Sequence, residues 1–430
     1  MSQTAEGANM IALSTQSANP RISSIDALRG MVMFTMIFVN ELSGVSHEIV
    51  PDWMRHYHGQ SGMTFVDVVF PAFLFIAGMS IPFAIGSRIE KGEPLWKTVL
   101  HILTRAASLI LIGVLMVNDA PDSAKLGWSA KLWLTLMYLS AIFAFCSFRL
   151  PPKPGALQAG ARAGAIISLA LRVIGFAALI YLAFVFVGKD DHRIIQLSPF
   201  SISTQWYGIL GEIGWSYLIV ALIFLVFRCR RTALVGCLAL LYCLYPARKT
   251  GAFGSFWLAQ HLNLGETGTQ AGIMLAGALL ATTLLTADTT THMARARFTL
   301  WLIAGCVAGA LLLNGIYGIS KGSATPSYAL WTTAITAALW LGFYYLADVR
   351  HGNRTVKVIK PLTIAGGNVL LAYLLSEMLH PFLDVIQLRD HYSHFLNLNL
   401  TCALVGTAAC GAAILVLAVL LNRLGFRLKL

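Results

Sequence analysis

Hydrophobic positions in this chain come in long blocks rather than in stripes. Twelve apolar segments, at 25–43, 64–86, 97–117, 131–148, 166–188, 211–227, 231–246, 270–287, 299–318, 327–347, 362–384 and 400–422, alternate with short polar connections. A helix rises 1.5 Å per residue, so a block of about 20 residues spans the roughly 30 Å of bilayer hydrocarbon. The blocks lack the continuous polar face that a helix on the surface of a soluble protein keeps toward water. The pattern therefore predicts an all-α integral membrane protein, a polytopic bundle of transmembrane helices. Segment 231–246 is short and ends at Pro246, and "RCRR" (228–231) interrupts the pair around it, so the expected count is ten to twelve spans.

The connections carry the orientation. Lys and Arg concentrate in alternate ones: Arg88, Lys91 and Lys97; Arg228, Arg230 and Arg231; Arg295 and Arg297; Arg350, Arg354, Lys357 and Lys360; Arg423, Arg427 and Lys429. Cytoplasmic loops retain such residues, which places both termini in the cytoplasm. Residues 1–20 are polar and rich in Ser and Ala without an apolar core, and read as a disordered cytoplasmic tail ahead of a single membrane domain at 21–430.

Composition narrows the class further. Only 12% of residues are charged against 57% hydrophobic, about half the charged share of soluble proteins. The formal net charge of +12 follows mostly from the loop asymmetry, and no polar segment is long enough to fold into a nucleic-acid-binding domain. The seven cysteines lie in or beside apolar blocks without a CxxC pair, which suits small core residues and supports neither a disulfide framework nor a metal site. "RDHYSHF" places His391 and His394 three apart beside Asp390, a spacing that a surface loop explains better than a metal.

Ionisable residues inside the blocks are costly and mark sites or pairs. Asp26 and Arg29 are neighbours on one helix face: either a local ion pair, or an Arg aimed at an anion with Asp26 holding it. Arg105 and Arg172 sit some turns inside their blocks, either snorkelling to headgroups or forming a phosphate-binding pocket. Glu377 and His380 share a face near the outer end of the eleventh block. Trp206, Tyr207, Trp215 and Glu212 read as an interfacial aromatic belt or as a platform for a sugar ring. The connection between the first two blocks, "VNELSGVSHEIVPDWMRHYHGQSGMTFVDVVFP" (39–71), carries His47, His56 and His58 and ends at Asp67 and Pro71. Asp67 either complements a helix N-terminus or orients an imidazole.

"SSIDALRGMVMFTMIFVN" followed by "GMTFVDVVFPAFLFIAGMSI" resembles the signature of the heparan-α-glucosaminide N-acetyltransferase family, on Asp26, Arg29, Gly30, Asn40, Asp67, Phe70, Pro71, Phe73, Phe75 and Gly78. "TPSYALWT" (325–332) and "GGNVLLAYLLSE" (366–377), with Asn368, Tyr373 and Glu377, resemble later elements of that family. "QWYGILGEIGWSYL" and "LWLTLMYLSAIF" resemble its bacterial NagX-type branch, although the Gln-Arg pair that many members carry in the latter span is absent.

The resemblance implies a transmembrane acyltransferase in a bacterial inner (cytoplasmic) membrane, a homodimer surrounded by lipid. It would move acetyl from cytoplasmic acetyl-CoA to the amine of a glucosamine-type amino sugar outside. On the same footing, the active histidine is His56, ahead of His58, with Asn40 beside it as oxyanion or substrate partner. The residues themselves suit such chemistry. Imidazole titrates near neutrality as a base or acetyl carrier, and Asp67 fixes its tautomer. Arg29, held by Asp26, and Arg105 are candidates for the phosphates of coenzyme A. Trp206, Trp215, Glu212, Asn368 and Glu377 are candidates for the acceptor. The rival class is an amino-sugar transporter that moves its cargo without acetyl transfer. No internal repeat of the kind transporters often show is evident.

Overall fold

The structure, a computed structural model, describes residues 22–428 apart from 119–120, 149–156, 190, 198–199, 203–206, 255, 257–261 and 351–352. The tail at 1–20 and Trp206 lie outside the described residues.

Helices occupy most of each of the twelve apolar segments, and fourteen helices of eight or more residues are described. In chain order these are α1 (Ser23–Ser43), α2 (Phe65–Glu90), α3 (Leu95–Val117), α4 (Ala130–Ala144), α5 (Leu157–Val185), α6 (Gly208–Phe227) and α7 (Arg231–Lys249). They continue with α8 (Leu264–Ala281), α9 (His292–Tyr317), α10 (Pro326–Tyr344), α11 (Asn353–Ala365), α12 (Val369–Val385), α13 (Arg389–Leu396) and α14 (Leu400–Arg423). The eleventh segment is shared by α11 and α12, joined through a tight turn at Gly366–Asn368, and α13 is a short helix between spans. Among the described residues, eight helices are long and apolar enough to cross a membrane, with α11 and α12 counted together from Ile359. α4 is apolar but shorter, at 15 residues. The protein is thus an all-helical, multi-pass membrane protein.

The segment expected at 270–287 is shifted. α8 begins six residues earlier and stops at Ala281, after which 282–289 forms short 3₁₀ turns. Thr282, Thr283 and Thr289 there bond backbone carbonyls and end the helix. α8 is the centre of the bundle, with α2, α6, α7 and α10 packed around it. Small residues let it in close: a Cβ on Gly78 of α2 would strike the Met274 carbonyl, and one on Gly277 would strike that of Phe75. Gly30 and Gly366 make a second close crossing, between α1 and the turn before α12. α5 and α9 lie at the periphery and turn most of their apolar surface outward.

Contacts between helix ends define two poles. One joins Ser24 to Asp348, Arg29 to the Gly366 carbonyl, Arg231 to Asp288 and Arg295 to Tyr344. The other joins the 56–67 segment to Lys321 and Tyr328, and Glu212 to Gln270. Basic connections from alternate loops therefore share the first pole, as the charge pattern requires.

Candidate functional site

The second pole is organised by the N-terminus of α2. Thr64 and Asp67 form a capping box, in which the Thr64 N–H donates to Asp67 Oδ2 at 3.0 Å. The same oxygen accepts from the Tyr57 N–H at 3.1 Å, and the Thr64 hydroxyl donates to the Arg55 carbonyl at 2.6 Å. These bonds fold the 55–64 connection back over the helix end. Asp67, 1% exposed, then has one oxygen left, and Oδ1 lies 2.7 Å from Nδ1 of His56. A buried carboxylate that close takes the Nδ1 proton as its donor and leaves Nε2 as the accepting nitrogen of the ring, within 3.3 Å of the Lys321 ammonium. His56 faces a cavity of about 300 Å³ lined also by His47, Asp52, Arg55, Tyr57, His58 and Gly59. His58 shares the cavity but is exposed, and the carboxylate belongs to His56.

Two residues from elsewhere complete the arrangement. Pro71 has no N–H for the Asp67 carbonyl one turn earlier, and the Tyr328 hydroxyl donates to that carbonyl at 2.6 Å. The kink residue and the "TPSY" motif are thus two halves of one contact, and α2 continues unbroken through Pro71 and Pro82. Lys321 reaches over the histidine, its Nζ 3.0 Å from Nδ1, 3.3 Å from Nε2 and 3.8 Å from Asp67 Oδ1. Lys321 is not among the candidates named from the sequence. Its signal was its position, a Lys four residues before the Thr-Pro-Ser-Tyr motif. Glu212 accepts from Gln270 Nε2 at 2.8 Å and lies within electrostatic reach of Lys321.

Asn40 is placed differently from expectation. Its amide donates to Glu377 Oε1 at 3.3 Å, within a second cluster. There Glu41, 3% exposed, accepts from the Tyr392 hydroxyl at 2.8 Å and pairs with His380 Nε2 at 3.2 Å. His380, expected to pair with Glu377 on its own helix, thus reaches across to α1. The turn at Gly366–Asn368 carries Asn368 nine residues from Glu377, roughly 13 Å along a helix. Its amide donates to the Phe426 carbonyl at the opposite pole, so Asn368 and Glu377 are not brought together. Trp215 packs edge-on against Tyr207 with ring centroids 5.7 Å apart.

At the first pole Arg29 is already engaged, by Asp26 at 2.8 Å and the Ser80 hydroxyl at 2.6 Å. Arg105 instead lies over the Tyr217 ring at 4.8 Å, with a buried Nε that meets no acceptor. Among the described residues no three His, Cys, Asp or Glu side chains are grouped to hold a metal ion.

Residues 21–195 match the family described as "Domain of unknown function (DUF5009)". The chain is 33% identical over 109 residues to "Heparan-alpha-glucosaminide N-acetyltransferase" of Homo sapiens, and 35% identical over 112 residues to the protein of that name from Mus musculus. These stretches are 25% and 26% of this chain and 16% of each relative. Over about a quarter of its length, therefore, the chain is a relative of proteins named heparan-alpha-glucosaminide N-acetyltransferase.

Proposed function

We propose that this protein is a transmembrane N-acetyltransferase that moves acetyl from cytoplasmic acetyl-CoA to the amine of a glucosamine-type sugar on the outer face of a bacterial inner membrane. The observation that carries the reading is the His56–Asp67 pair at the mouth of a cavity, in a chain with named N-acetyltransferases among its relatives. Nε2 of His56 is the working atom. In direct transfer the amine attacks the thioester carbonyl, a C–N bond forms and the C–S bond breaks. Nε2 takes the ammonium proton and returns it to the departing thiolate. In a two-step transfer Nε2 bonds to the thioester carbonyl carbon and the C–S bond breaks with the thiolate leaving; the amine then forms its C–N bond as the acetyl–Nε2 bond breaks, and the freed Nε2 takes the ammonium proton. Both routes need the lone pair that Asp67 secures.

The remaining assignments follow from placement. Glu212, beside Lys321, recognises an ammonium or hydroxyl of the acceptor, and Trp215 with Tyr207 forms an aromatic wall at that pole. Of the two candidate cations, Arg105 keeps an unmet donor for a phosphate oxygen of the coenzyme, whereas Arg29 is spent on Asp26 and Ser80. The reading takes the basic pole as cytoplasmic, with both termini there, and the assembly as a homodimer in lipid.

The test is acetyl-CoA consumption by purified protein with glucosamine. His56→Ala should lower turnover by about 10²–10⁴-fold, and His58→Ala by far less. No consumption by the unaltered protein, together with uptake of labelled sugar into proteoliposomes, would replace this reading with transport.

A further inference from the structure

Lys321 is held too deliberately for a loop charge. Its loop starts where Gly318 turns at φ +65° after α9 and ends at Thr325 before α10. The loop is fastened to the histidine-bearing connection from both sides: the Ile319 N–H donates to Ser61 Oγ at 2.9 Å, and the Gly62 N–H donates to the Ile319 carbonyl at 2.9 Å. Within the loop, the hydroxyls of Thr325 and Ser327 both donate to the Gly318 carbonyl. Two segments more than 250 residues apart in sequence are thereby locked into register, and the outcome is an ammonium 3.3 Å from Nε2 of His56.

We propose that Lys321 is a catalytic residue of the acetyl transfer, its ammonium donating the hydrogen bond that holds the acetyl carbonyl oxygen as it becomes an oxyanion. This rests on the acetyltransferase reading above. With Nδ1 committed to Asp67, the reacting carbonyl carbon must come up to the Nε2 side, at about 3–3.5 Å when poised. Its oxygen is about 1.2 Å from that carbon. Nζ of Lys321 lies beside both ring nitrogens, 3.0 Å from Nδ1 and 3.3 Å from Nε2, so an oxygen on the Nε2 side can approach it to the roughly 2.7–3.1 Å that such a donor requires. The amide of Asn40, the donor expected from sequence, is turned to Glu377 instead.

No atom is left unaccounted for. As the nucleophile bonds to the carbonyl carbon, the electron pair of the C=O bond moves onto oxygen beside the ammonium. When the C–S bond breaks, that pair returns to restore the carbonyl. The Lys321 proton is lent as a hydrogen bond and never transferred.

The titratable groups facing Lys321 are His56, Asp67 and Glu212. Burial pulls its ammonium below the ordinary value near 10.5, against the Asp67 and Glu212 carboxylates that hold it up. The charged form is the working one, so the donor is lost as pH rises through a value below the ordinary one. Activity should accordingly fall on the alkaline side at a pH below 10.5.

The experiment compares Lys321→Ala, Lys321→Met and Lys321→Arg in the full chain, in nanodiscs, with acetyl-CoA and glucosamine, folding being checked by size exclusion and thermal unfolding. Lys321→Ala, or Lys321→Met should the shorter side chain impair folding, is expected to lower kcat about 10²–10³-fold. KM for acetyl-CoA should move far less. Lys321→Arg should keep a substantial part of the activity and lose the alkaline limb, because guanidinium stays charged. Turnover within threefold of normal in a neutral variant overturns the role. So does a folded Arg variant as inactive as the neutral ones, which would mark Lys321 as a proton acceptor. Absence of turnover in the unaltered protein overturns the acetyltransferase reading and this role with it.

Discussion

Asp67 divides its work between its oxygens: Oδ2 receives two backbone N–H groups and Oδ1 receives His56. Asp67→Asn separates these tasks. The amide oxygen would stay with the backbone donors, and the amide nitrogen would face Nδ1. That reverses the tautomer, moving the imidazole proton to Nε2 and removing the lone pair. Asp67→Asn is expected to retain the fold and lower kcat by about 10²–10⁴-fold, as steady-state kinetics beside a thermal melt will determine. The pairing itself was partly legible, because an acid at the third position of a helix behind a Thr cap has a known place, and three histidines precede it. Which carboxylate His380 would choose was not. The i,i+3 spacing favoured Glu377, but Glu41 is brought within 3.2 Å by packing of α1 that no local pattern encodes.

At the scale of helices, the contact between Tyr328 and the carbonyl freed by Pro71 gives a quantitative test. Tyr328→Phe leaves that buried carbonyl without a donor, at a cost of about 1–3 kcal/mol. Pro71→Ala returns a backbone N–H to the carbonyl. In that background Tyr328→Phe should cost measurably less, and equal costs in both, by denaturation in a single detergent, would mean the two residues act independently. A second consequence concerns the α2–α8 crossing. Gly78→Val places side-chain atoms against the Met274 backbone, and overpacking of this kind costs about 1–3 kcal/mol or more. The same substitution at Gly236 of α7, where a Cβ meets nothing, should be tolerated. Helices were readable from apolar blocks because hydrocarbon admits backbone only when its polar groups are paired internally. Their ends were less so. α8 is displaced at both ends of its expected span, because its Thr-rich C-terminal flank turns away as 3₁₀ and its Gly- and Thr-rich start joins the helix.

For the molecule as a whole, the two poles make sidedness measurable. A cysteine at exposed Lys189, beside the loop that precedes α6, should react with an impermeant thiol reagent in intact cells. One at exposed Lys91, in the basic connection after α2, should react only once the membrane is opened. The reverse labelling would turn the bundle over and with it the direction of transfer. Alternation of the loops was legible from charge alone. The meeting of residues 56, 67 and 321 was not, because a register fixed by a few loop hydrogen bonds across the length of the chain leaves no periodicity.

The position of α8 bears on how the protein is made. With 15 of its 18 residues buried and Glu266 and Gln270 in its first half, α8 is not among the helices apolar enough to cross a membrane unaided. Emerging from the ribosome, it would partition poorly into lipid, where a buried acidic or amide side chain is penalised. By then α2, α6 and α7 have already been synthesised, and together they offer a protein-lined berth in place of lipid. If the central helix enters against these neighbours, substitutions on the faces of α2 or α7 that receive it should show first as failed insertion during translation.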